Sequence, residues 1–151
     1  MSLYAKYSSL GEQENPNPAA ASAVVSIQSQ DHKQQLCQNN RIVVVDVYGD
    51  WCGPCKQIAP RYAEMAQQYG RPGICVLANE DVDKGFSEGI RGVPAFQFFI
   101  NGQFVETIMG ADIKGVENKL LQHIQSIQPN QQPNQQPNQQ QRKQPNRNQN
   151  R

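Results

Sequence analysis

No run of apolar residues in this 151-residue chain approaches the ~20 needed to cross a membrane as a helix. The opening Met1-Ser2-Leu3-Tyr4-Ala5-Lys6-Tyr7 also lacks the apolar core of a secretory signal, so a reducing, cytoplasm-like setting is expected, or a virion if the chain is viral. Cysteine is scarce. Four in 151 residues fall far short of a disulfide scaffold, and one closely spaced pair in a reducing compartment points to cycling redox chemistry instead. A structural zinc site lacks its ligand set, because there is no second Cys-x-x-Cys and His32 and His123 have no ligand spacing. Glu80, Asp81 and Asp83 lack the punctuating glycine of a calcium loop and are expected to form a solvated turn, so no metal is expected. Net charge is also small, at +1. Arg142, Lys143, Arg147 and Arg151 carry +4 of it, leaving −3 over the first 127 residues. Four cations without interleaved aromatics are a weak nucleic-acid footprint, and a solvated spacer is the expected role of residues 128–151. Apart from proline that tail has no aliphatic or aromatic side chain, and it repeats Pro-Asn-Gln-Gln, so nothing offsets the entropy of ordering it. Residues 1–22 show little periodicity and are read as a flexible leader, leaving 23–127 as the one compact domain.

Within 23–127 the patterning is dense. Ala23 to Ile27 alternates like a short strand, and Asp31 is the expected N-cap of a short helix through Leu36 and Cys37. The continuous run Ile42 to Val47 suits a central strand buried on both faces. It leads through Tyr48-Gly49-Asp50 into Trp51-Cys52-Gly53-Pro54-Cys55-Lys56, where Ile58, Ala59, Tyr62, Met65, Ala66 and Tyr69 begin to recur at helical spacing, with Pro60 expected to bend the helix. Ile74 to Ala78 is the next strand, and Phe86 to Ile90 a short helical or turn segment. After Gly92-Val93-Pro94-Ala95 comes the strand Phe96 to Ile100, then Asn101-Gly102, a hairpin signal because a type I′ turn needs positive φ at both central positions. Gln103 to Met109 is its partner, and Asp112 can cap a last helix whose Ile113, Val116, Leu120, Leu121, Ile124 and Ile127 form one stripe. Cys37 and Cys75 are read as small core hydrophobes.

The full Trp51-Cys52-Gly53-Pro54-Cys55-Lys56 motif, with Asp46 six positions before its first cysteine, resembles thioredoxin, and the order of elements resembles that family from about Ala23 to Ile127. The resemblance implies an α/β thioredoxin fold, a mixed central sheet with helices on both faces. It implies a protein disulfide reductase, cycling between a Cys52/Cys55 dithiol and disulfide, with Cys52 as nucleophile and Cys55 as the resolving thiol. Asp46 would be the proton acceptor for Cys55, its pKa raised by the apolar strand around it. Pro94 resembles the family's cis-proline, and Trp51, Gly53, Pro54, Val82, Val93, Pro94, Gly110 and Ala111 would line a shallow apolar substrate groove. No cofactor is implied. The partners implied are disulfide-containing client proteins and a separate thioredoxin reductase or equivalent donor, with no membrane. A binding or assembly module tethered by the tail is the alternative.

A helix N-terminus lowers the pKa of a thiol placed there. Taking the value of ~7 that belongs to thioredoxins as a family, the thiolate fraction at neutral pH rises about fifteenfold over an ordinary thiol, while weaker intrinsic nucleophilicity removes about fivefold. A net gain of about threefold assigns most of the rate to positioning of the substrate disulfide. The chain departs from the family pattern at Ala95, where many members have threonine, at Asn79, where bacterial ones often have lysine near the buried acid, and at Tyr48-Gly49-Asp50.

Overall fold

The computed structural model describes residues 23–127. The leader 1–22 and the tail 128–151 lie outside the described residues. The elements are β1 (Val25–Ser26), α1 (Gln30–Asn39), β2 (Ile42–Tyr48), α2 (Gly53–Tyr69), β3 (Cys75–Asp81), a one-turn 3-10 helix at Val82–Lys84, β4 (Ala95–Ile100), β5 (Gln103–Met109) and α3 (Ile113–Ser126). They build one five-stranded sheet in the order β1-β3-β2-β4-β5.

All seven residues of β2 are buried, as its unbroken apolar run requires of a central strand. β3 pairs with it in parallel on one side and β4 antiparallel on the other, so the strand that leads to the cysteines is held by a full ladder on both edges. Side chains alternate between the two sheet faces. Ile42, Val44 and Tyr48 pack on one face with Tyr62 and Met65 of α2 and Val116 and Leu120 of α3. Val43, Val45 and Val47 pack on the other with Ala78, Ala95 and Cys37 of α1. Cys37 and Cys75 are both free and buried. The β4–β5 turn has Asn101 at φ 52° and Gly102 at φ 82°, the two positive angles its Asn-Gly pair favours. No described helix is long and apolar enough to cross a membrane.

Two local expectations change. Helix α1 is capped by Ser29, whose Oγ accepts the His32 N–H at 3.0 Å, and Asp31 instead lies in the first turn, where its charge complements the helix dipole. Pro60, expected to bend α2, lies inside the continuous helix at an exposed position. Of the two alternatives for Phe86–Ile90 the non-helical one holds, and the single helical turn comes earlier, closed by Gly85 at φ 73°. Finally, β3 continues past Ala78 to Asp81, which carries Glu80 out of the expected solvated turn and into the sheet at 1% exposure. Its Oε1 accepts a hydrogen bond from Lys33 Nζ of α1 at 2.9 Å. The same ammonium donates to Ser87 Oγ at 2.6 Å and Gln97 Oε1 at 3.0 Å, so all three of its hydrogens are used.

Candidate active site

The site forms where β2 gives way to α2. Gly49 allows a close approach there: a Cβ on it would come within 2.7 Å of the Trp51 ring and displace it. The chain turns with the Cys52 N–H donating to the Gly49 carbonyl at 3.0 Å. Cys52 then caps α2 in extended geometry, with its Sγ accepting the Cys55 N–H at 3.1 Å and proline in the first helical turn. A negative sulfur at this position would meet a helix N-terminus that already donates the Cys55 N–H to it. Cys52 and Cys55 are joined as a disulfide, with Cα atoms 5.3 Å apart. Cys55 is fully buried.

Opposite the sulfurs, the Val93–Pro94 peptide is cis. The Val93 carbonyl lies 3.7 Å from Cys52 Sγ, and the Gly110 N–H donates to the Pro94 carbonyl at 2.8 Å, tying the start of β4 to the end of β5. Of the residues expected in the groove, Trp51, Gly53, Pro54, Gly110 and Ala111 are exposed, Val82 and Val93 are half-buried, and Pro94 is buried beneath them. Trp51 is 66% exposed, yet its indole N–H is held by Asp83 Oδ2 at 3.2 Å. The ring is thereby oriented and still available to a partner.

Asp46 is fully buried, and burial pushes its carboxyl well above the usual carboxylate range. Strand alternation puts it on the same sheet face as Val44 and Tyr48, the face on which Cys52 and Cys55 pack. Tyr62 of α2 belongs to the same surroundings. Its hydroxyl is within hydrogen-bond distance of the Val44 and Ala78 carbonyls, at 3.0 and 2.8 Å, and its pKa is raised first by burial and then by the charge of Asp46. Asn79 is the register partner of Asp46 on β3 and is buried at 2%, so an uncharged amide stands where the resemblance suggested a lysine.

Asp46 makes stability depend on pH in a definite direction. Because its folded pKa is raised, the folded protein holds the proton to higher pH than the unfolded chain does. That contribution is fully present below the unfolded value of ~3.9 and is lost as pH rises through the folded value. Asp46→Asn removes the loss, so its stability relative to wild type is expected to climb as pH rises above about 4, by at most ~1.4 kcal/mol per unit. Urea unfolding of both proteins across that range checks it; a difference independent of pH would contradict the assignment of the raised pKa to Asp46.

The family model described as Thioredoxin matches residues 23–126. Thioredoxin of Malassezia sympodialis is 33% identical over 100 residues, covering 64% of this chain and 95% of that protein. The crystal structure of Malassezia sympodialis thioredoxin matches with a TM-score of 0.60 at 34% identity, over 66% of this chain and 92% of that one. Thioredoxin 1 of Synechococcus elongatus is 34% identical over 106 residues, 68% of this chain and 99% of that protein. Thioredoxin-like protein 1 of Schizosaccharomyces pombe is 32% identical over 102 residues, and there the chain spans 35% of the relative's length.

Proposed function

Since the chain belongs to the thioredoxin family, whose membership together with the Cys52–Cys55 disulfide supports a thiol-disulfide oxidoreductase, we propose that it works as a reductase of disulfides in client proteins. The observation that carries the reading is the pairing of the two sulfurs at the N-terminus of α2, with Cys52 as the cap and Cys55 one turn inside. In the reduced protein the Cys52 thiolate attacks one sulfur of the client disulfide. The other client sulfur leaves as a thiolate and takes a proton. Cys55 then gives its proton to the Asp46 carboxylate and attacks Cys52 Sγ. The second client sulfur leaves, and two electrons have passed from the Cys52/Cys55 pair to the client. A separate thioredoxin reductase or equivalent donor restores the dithiol, which places the cycle in a reducing compartment. Gly53-Pro54 between the cysteines favours reduction over oxidation or isomerisation, since families with those activities usually carry histidine or other residues there that stabilise the thiolate.

Reduction of insulin driven by dithiothreitol tests the reading, and the reduced full-length protein is expected to accelerate it catalytically. No acceleration over dithiothreitol alone would refute it. Within the cycle, Asp46→Asn is expected to slow release of the mixed disulfide more than its formation, because the carboxylate serves Cys55 and not Cys52. The loss is on the order of the 10²–10⁴-fold that general acid–base catalysis contributes. Single-turnover kinetics separate the two steps, and equal slowing of both would remove Asp46 from the role of proton acceptor.

A further inference from the structure

The sheet face that carries α1 is covered over only part of its width, because the connection from β3 to β4 contains one 3-10 turn and no α-helix. Met109, Thr107 and Phe104 of β5 are the register partners of Ala95, Gln97 and Phe99, so they share the face on which Ala95 packs, opposite the cysteines. Phe104 is 57% and Met109 50% exposed. With half-buried Phe99 and Thr107, and with Phe86 and Ile90 of the connection, they line a groove of about 710 Å³. Its walls are apolar, and its floor is polar without net charge. The Lys33 ammonium is met by Glu80, while Gln97 Oε1 accepts from Lys33 Nζ at 3.0 Å and from Ser87 Oγ at 3.2 Å, so the hydrogens on Gln97 Nε2 take no part in that cluster. Such a surface accommodates an apolar body that carries an uncharged acceptor, and tyrosine is a side chain of that kind.

The leader of this chain supplies such side chains. All of its large apolar residues fall within Met1 to Leu10, and Gly11 to Ser22 has none beyond proline and alanine. At about 100° per residue, Leu3, Tyr4, Tyr7 and Leu10 lie within about 120° of one another around a helix, with Ser2 before them as a competent N-cap and Gly11 after them as a competent stop. A helix that short does not hold by itself in water, so the stripe needs a surface to form against. The tail offers no counterpart, because proline is its only apolar residue. Reach is sufficient. The leader joins the domain at Ala23, which packs toward the cysteine-bearing core just before β1, and four strand spacings separate β1 from β5, about 19 Å. The stretch Gly11 to Ser22 spans about 19 Å as a coil and about 40 Å fully extended, enough to round the β1 edge and pass α1. A tether whose mean span matches the separation holds its far end at about millimolar effective concentration, so weak apolar contacts suffice to seat it.

We propose that residues 1–10 of the leader dock as a short amphipathic helix in this groove, closing the sheet face that the β3–β4 connection leaves open. Docking of this kind is independent of the redox chemistry. Hydrogen exchange of the full-length protein, followed by mass spectrometry, reads it. A segment seated about nine-tenths of the time exchanges its amides about tenfold more slowly than a free chain, and that slowing is expected over Leu3 to Leu10. Two variants are expected to remove it: Leu3→Ser combined with Tyr7→Ser, which leaves every residue of the domain in place, and Phe104→Asp, a change at an exposed position of the groove. Exchange at the free-chain rate in the wild type, or slow exchange that survives either variant, overturns the docking. Protection that grows with protein concentration, together with a dimer in analytical ultracentrifugation, also overturns it, because the groove would then seat a second copy of the chain.

Discussion

Cys52→Ser is expected to abolish turnover of a protein disulfide, leaving only the rate of dithiothreitol itself. A thiolate is the species that attacks a disulfide, and a serine hydroxyl at the same helix cap does not ionise to a useful extent at neutral pH. No other thiol is placed to take over. Cys55 is fully covered, Cys37 and Cys75 are buried in the two cores, and burial pushes the Cys75 thiol up to about 12, far from the thiolate. Insulin reduction by the variant reads the result directly. Turnover above background would mean that a different sulfur attacks.

The largest structural effect is expected away from the cysteines, at Lys33. Removing its charge in Lys33→Met leaves Glu80 fully buried with no cation, and breaking one partner of a buried pair costs about 3–5 kcal/mol. A domain of this size is stable by only 5–15 kcal/mol, so this one substitution should bring it close to unfolding at 37 °C. Lys33→Met combined with Glu80→Leu is expected to recover most of the loss, because the cost lies in the orphaned carboxylate and not in the missing attraction. Urea unfolding of the wild type and both variants decides it. A loss below about 1 kcal/mol in the single variant would place Lys33 with ordinary surface ion pairs.

The placement of Cys52 and Cys55 at a strand-to-helix junction was legible in the sequence because its determinants are local. A buried strand, a turn at Gly49 and a helix capped by Cys52 occupy consecutive residues, and the run Ile42 to Val47 suits a central strand. The stripe of α3 and the Asn101-Gly102 turn were readable for the same reason. The Lys33–Glu80 pair was not. Its partners are 47 residues apart, Lys33 sits among glutamines on a polar helix, and Glu80 heads a run of acids that reads as solvated. Only the register of β3 beside β2, which carries Glu80 opposite Val47, brings that carboxylate inside. The cap of α1 shows the converse difficulty: Ser29 and Asp31 are both competent, and local chemistry alone does not choose between them.

The central claim is that Cys52 attacks and Cys55 resolves. Cys55→Ser keeps the cap sulfur and removes the resolving one, so the reduced variant, mixed with a cystine peptide, is expected to stop as a stable one-to-one mixed disulfide. Peptide mapping by mass spectrometry should find the adduct on Cys52. An adduct on Cys37 or Cys75, or no adduct while the peptide is still released as free thiol, would contradict the account.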